Sequence, residues 1–176
     1  MTGDPETILR KAFEAVAGGD SLSLMELLDR DALADRRSIQ TRMAEAELER
    51  LRRREITPGE YQQSLSFLNV GSVEELRGLS TGDWLQRSLT ALPPLSRREI
   101  KCVPLGHVLE PPDRAHVTFR LQWASDAPGE PLLRVGTLRR TPDGWRLIPD
   151  PLSDWVVPGL DNILFSDYPD PGLDFR

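Results

Sequence analysis

The sequence predicts an α+β domain, with helices in the first half packed on a curved antiparallel sheet of about four strands formed by the second. Three observations carry this expectation. Apolar residues recur at helical spacing as far as the double proline Pro93-Pro94, and at every second position beyond it. The first half is punctuated by residues that start and stop helices. The second half is punctuated by Pro, Asp and Gly clusters that turn a strand back on its neighbour.

Asp4 followed by Pro5 opens the first helix, as a capping side chain ahead of a proline at the first helical position. Leu9, Ala12, Phe13 and Val16 form its apolar face. Gly18-Gly19 stops it, because glycine reaches the left-handed backbone conformation that a helix end requires. Asp20 or Ser21 caps a short second helix carrying Leu24, Leu27 and Leu28. From Arg36 to Glu55 the chain is dense in Arg and Glu, with apolar positions thinly placed at Ile39, Met43, Leu48 and Leu51. This reads as a long, largely solvated helix, supported by pairs one turn apart such as Glu49 and Arg53. Thr57-Pro58-Gly59 breaks it, and Pro58 starts a helix through Tyr61, Leu65 and Leu68. Ser72 and Glu75 have capping-box spacing. Ser80-Thr81-Gly82-Asp83 starts a last helix with Trp84, Leu85, Leu89 and Leu92 inward.

A first strand is expected from Ile100 to Leu109, with Pro104 and Gly106 marking a bulge or an edge. Pro111-Pro112-Asp113 turns the chain. The strand from Ala115 to Trp123 places Val117, Phe119, Leu121 and Trp123 on one face and His116, Thr118, Arg120 and Gln122 on the other. Pro128-Gly129 allows a longer connection. A third strand covers Leu132 to Arg140, Thr141-Pro142-Asp143-Gly144 turns tightly, and a fourth strand returns over Trp145 to Ile148. The Asp- and Pro-rich end still carries Trp155, Val156, Val157, Leu160, Ile163, Leu164 and Phe165, so it is expected to dock as far as Phe165 and to fray beyond Pro169. The organisation is one domain over residues 1–165, with 30–70 as a polar helical insertion, and an acidic tail over 166–176.

Composition narrows the function classes. The chain has 176 residues, 28% of them charged, and a net charge of −6, which argues against nucleic acid as the main partner. Only Lys11 and Lys101 are lysines; the dominance of Arg reads as a GC-rich, bacterial-type genome rather than as a function. A single cysteine, Cys102, allows neither an intrachain disulfide nor a cysteine-based zinc site. There is no basic leader, and no run approaches the ~20 apolar residues of a membrane span. The expectation is a cytoplasmic protein with no membrane partner.

Two stretches resemble a known superfamily. One is the opening helix, the Gly-Gly-Asp link and the Leu-rich helix, residues 8–28. The other is Leu138-Arg139-Arg140-Thr141-Pro142-Asp143-Gly144-Trp145-Arg146-Leu147, a strand, a Pro-Asp-Gly turn and a Trp-led strand. Together with the 115–123 strand they resemble the nuclear transport factor two-like, cystatin-like α+β cone proteins. The resemblance implies a sheet curled over helices. It leaves function open, because similar domains serve as isomerases, dehydratases, cyclases, dimerisation modules and binding scaffolds.

Candidate site residues follow. His107 and His116 are the only histidines, and either could move a proton near neutral pH; alternation places His116 on a solvent or subunit face. Asp83 beside Trp84 could be a carboxylate at a pocket mouth, set against a plain first-turn role in its helix. Tyr61, Trp84, Trp123 and Trp145 could line a cavity for a small apolar ligand, set against ordinary core packing. Arg50, Arg52, Arg53 and Arg54 could meet an acidic partner or the chain's own Asp-rich tail, but Glu45, Glu47, Glu49 and Glu55 nearly cancel their charge. Cys102, with apolar neighbours, reads as inert core. No phosphate loop, dinucleotide fingerprint, nucleophile elbow or zinc-protease motif is present, and no metal or cofactor is expected. The leading expectation is a non-enzymatic small-molecule-binding or protein-interaction module, with His116, Thr118, Arg120 and Gln122 at a homodimer contact. The alternative is a small cyclase, isomerase or dehydratase using His107 or Asp83. A third reading is an adaptor that works through the Arg/Glu helix.

Overall fold

The structure is a computed structural model that describes residues 3–66, 70–91, 100–123 and 132–149. Six helices come first: α1 (Pro5–Gly18), α2 (Ser21–Leu27), α3 (Arg30–Arg52), α4 (Pro58–Ser66), α5 (Val73–Gly78) and α6 (Thr81–Ala91). Four strands follow: β1 (Ile100–Glu110), β2 (Arg114–Trp123), β3 (Leu132–Thr141) and β4 (Gly144–Leu147). They pair in sequence order as one antiparallel sheet. The α+β layout expected from the change of hydrophobic period is therefore present, with the sheet in the C-terminal half.

The helix ends follow local chemistry. Gly19 adopts the left-handed conformation (φ 68°) that closes α1. Asp20 accepts the Ser23 N–H at 3.0 Å and caps α2. Thr57 and Glu60 form a reciprocal box at the start of α4: Glu60 accepts the Thr57 N–H at 2.7 Å, and Thr57 Oγ1 accepts the Glu60 N–H at 3.3 Å. At α5, Ser72 Oγ accepts the Glu75 N–H at 3.1 Å, but Glu75 reaches back to the Gly71 N–H at 2.7 Å instead of to Ser72.

The helices form two tiers. In the first, α1 lies on β1, β2 and β4, and α2 lies against α1 and β4. Ile8, Leu9, Ala12, Phe13 and Val16 are buried there with Val117, Phe119, Leu121, Leu138 and Leu147 of the sheet. Full burial of each large apolar side chain contributes roughly 1.5–3 kcal/mol. The rings of Phe13 and Phe119 meet at 5.4 Å in a tilted pair, a favoured aromatic geometry. Gly136 sits opposite Val117, and a Cβ there would lie 3.0 Å from Leu9 Cδ1. Its missing side chain lets α1 settle onto β3.

In the second tier α3 packs on α4, α5 and α6. The sequence suggests a solvated α3 with Ile39, Met43, Leu48 and Leu51 as its apolar positions. The buried seam instead runs through Leu33, Arg36, Gln40, Ala44 and Glu47, while Ile39 is exposed. Gln40 serves as a buried acceptor for Trp84 of α6, whose indole N–H donates to Gln40 Oε1 at 2.7 Å. α3 also begins earlier than its charge density suggests, at Asp29, which accepts the Ala32 N–H at 3.0 Å.

The turn at Pro111-Pro112-Asp113 is present, with a cis Pro111-Pro112 peptide. The expected bulge is present as well: the β1–β2 register slips between Pro104 and Gly106, leaving Leu105 extra. At the opposite side of the sheet Leu28 bridges to Leu147, and the Asp29 N–H donates to the Leu147 carbonyl at 2.8 Å. The helix stop at Leu92 to Pro94, the Pro128-Gly129 connection, the docking of Trp155 to Phe165 and the approach of the tail to the Arg50–Arg54 run lie outside the described residues, as do the side chains of Gln122 and Trp123.

Candidate functional site

The sheet has two faces of different character. Strand register assigns residues to them, because directly paired residues share a face. The inner face carries Ala115, Val117, Phe119 and Leu121, all buried. On the outer face three rows run across β1, β2 and β3: Val103, Arg120 and Leu133; Gly106, Thr118 and Val135; Val108, His116 and Thr137. Val108 is 70% exposed, Leu133 58% and Val135 48%. Apolar residues therefore flank a polar central strand, and none of these three is covered by the helices.

His116 is held on that face. Its Nε2 lies 2.7 Å from Glu110 Oε2, and its Nδ1 lies 3.2 Å from Thr137 Oγ1. The hydrogen bond from the imidazole keeps the Glu110 carboxyl below its ordinary range. Thr118 and Arg120 share the face, as alternation along β2 requires.

The other sequence candidates are dispersed. His107 lies opposite Val117, with Nδ1 2.9 Å from Glu6 and 3.9 Å from Asp4. It ties the start of α1 to β1, and Asp4 makes no side-chain cap bond. Asp83 is a first-turn residue of α6: Ser80 Oγ donates to its Oδ2 at 2.6 Å and accepts its N–H at 3.1 Å. Trp84 is buried on Gln40, Tyr61 is half-buried against the core, and Trp145 is half-buried with the Arg140 guanidinium 5.9 Å from its ring centre. None of these three aromatics lines the grooves beside Arg139 or along α1 and α2 described below. Cys102 is buried, and burial pushes its thiol up to about 12, so it stays protonated and unreactive. Three of the four arginines of the run are answered within α3 and the turn after it: Arg50 pairs with Glu47 and Glu55, and Arg52 and Arg53 pair with Glu49.

Sequence reasoning missed one polar junction. The Arg139 guanidinium donates to Asp29 through Nε at 2.7 Å and again through Nη2, and it lies 3.5 Å from Asp31. Only 3% of the Asp29 side chain is exposed. Burial acts most strongly on its carboxyl, and upward. The hydrogen bonds from Arg139 and the Ala32 N–H and the adjacent guanidinium charge together outweigh it, so the carboxyl titrates below its usual range. The available signal was an Asp immediately before a helix, but nothing in the sequence pointed across 110 residues to its partner.

This junction walls a groove of about 310 Å³ between the start of α3 and the β3–β4 hairpin, lined also by Arg30, Arg140, Thr141 and Arg146. A second groove, of about 480 Å³, lies along α1 and α2 beside Lys11, Glu14, Asp20 and Glu26. Among the described residues no group of three or more His, Cys, Asp or Glu is placed to hold a metal ion, and no helix is long and apolar enough to cross a membrane. Compared with known proteins, the chain matches no family model, no curated protein and no solved structure.

Proposed function

We propose that this chain is a non-enzymatic interaction module whose outer sheet face joins it to a second copy of itself. The observation that supports this reading is the exposure of Val108, Leu133 and Val135 around the polar strip of His116, Thr118 and Arg120. Several exposed apolar side chains gathered on one face are characteristic of association sites. The face is also self-complementary, as a two-fold contact requires. A two-fold axis lying across the strands at the Thr118 row sets Val103 of each copy against Val108 of the other. It also brings Arg120 of each copy to the His116–Glu110 pair of the other, so opposite charges meet.

The test is sedimentation equilibrium across a wide concentration range. The wild type is expected to dimerise, and Leu133→Asp with Val135→Asp is expected to give a monomer with unchanged helical circular dichroism. A wild type that stays monomeric at the highest concentration overturns the proposal, as does a double variant that still dimerises.

A further inference from the structure

We propose that the groove between the start of α3 and the β3–β4 hairpin binds a small phosphate-bearing anion, held by Arg30, Arg140 and Arg146. Six arginines of the described residues are committed to carboxylates: Arg50, Arg52, Arg53, Arg77, Arg87 and Arg139 all make ion pairs. Arg30, Arg140 and Arg146 make none among the described residues, yet all three line one groove of about 310 Å³. That volume is at the lower end of the range for small-molecule sites.

The acidic groups in the groove do not cancel them. Asp29 is buried against Arg139 and the Ala32 N–H, and Asp31 lies beside the same guanidinium. Asp143, at the tip of the hairpin, is the remaining carboxylate of the lining. The lining as a whole therefore carries Arg30, Arg139, Arg140 and Arg146 against Asp29, Asp31 and Asp143, a net charge of +1, in a chain whose net charge is −6.

Two of the three are also held in place. The Arg140 guanidinium stands over the Trp145 ring, and Arg146 Nη1 donates to the Trp145 carbonyl at 3.1 Å. Each retains further N–H donors for a ligand, and a guanidinium presents them in a fork that matches phosphate oxygens. Asp29 and Arg139 bolt the two walls together, so the cations are carried on helix and strand rather than on a free loop.

The experiment titrates the full chain with inorganic pyrophosphate at constant ionic strength and follows backbone amide shifts. Saturable shifts confined to residues 28–31 and 139–146 are expected. Arg30→Ala, Arg140→Ala and Arg146→Ala should each weaken binding about 5- to 20-fold, and Arg53→Ala at the exposed end of α3 should leave it unchanged. Shifts spread over arginines throughout the chain, or no saturation, overturn the proposal on the wild type alone, whatever the folding of the variants. Sulfate binding as tightly as pyrophosphate overturns the assignment to phosphate.

Discussion

Helices α1 and α3 are built on opposite principles. α1 buries Ile8, Leu9, Ala12, Phe13 and Val16 against the sheet, while α3 buries Leu33, Arg36, Gln40, Ala44 and Glu47 among the other helices. Both seams follow the helical repeat, so both are amphipathic in burial, but only α1 is amphipathic in hydropathy. A seam of apolar groups is driven together by removal of surface from water and tolerates inexact contacts. A seam of polar groups holds only where each buried atom finds a partner. α3 largely satisfies that condition through Gln40 and Trp84; Gln40 Nε2 is a buried donor left without a protein partner.

The contrast is sharpened by substitution, and the largest effect is expected on the apolar side. Phe13→Ala leaves a cavity against Phe119 and should lower unfolding free energy by about 3–5 kcal/mol in urea titrations. A change below about 1 kcal/mol would show that α1 is not the principal cover of the sheet. Next comes the junction where α3 meets β3. Arg139→Ala strands a buried carboxylate and should cost about 3 kcal/mol. Because the folded-state Asp29 carboxyl titrates below its unfolded value, its contribution is fully present above the ordinary carboxylate pKa of ~3.9 and is lost as pH falls through the lower folded value. Asp29→Asn should therefore flatten the acid limb of a stability–pH curve below about pH 4; an unchanged limb would contradict the pairing.

Gln40→Ala should cost about 1–3 kcal/mol by leaving the Trp84 N–H buried without an acceptor. Gln40→Met combined with Trp84→Phe should recover most of that loss, since removing both partners removes the unsatisfied group. Failure of the double variant to recover would mean that the polar pair does more than satisfy itself. The smallest effect belongs to the exposed face of α3. Arg53→Ala removes a pair at 3.1 Å with both side chains well exposed and should shift stability by less than about 0.5 kcal/mol in thermal melts.

The same contrast explains what could be read in the sequence. Periodicity located α1, β1, β2, β3 and β4 to within a residue or two, because Val117, Phe119 and Leu121 alternate with His116, Thr118 and Arg120 without exception. Gly19, Asp20, Ser72 and Pro104 announced their roles through backbone chemistry. The α3 seam was misread because hydropathy cannot tell a buried Gln40 from a solvated one; the difference lies in Trp84, 44 positions away. Of the site residues, His116, Thr118 and Arg120 were legible as one face, since alternation fixes them together. The apolar flanks Val108, Leu133 and Val135 became visible only once strand register placed them on that face. The groove at Arg30, Arg140 and Arg146 needed the chain to close over more than a hundred residues.

The slip at Leu105 bears on how copies of this protein can meet. β1 borders the four strands on one side, and an unprotected border of that kind invites another chain to extend the ladder indefinitely. Here the ladder is interrupted midway: Pro104 offers no amide hydrogen, and Leu105 falls out of register between Pro104 and Gly106. A newcomer could match only short runs on either side of the interruption. Open-ended fibre growth along that side is thus disfavoured by backbone chemistry.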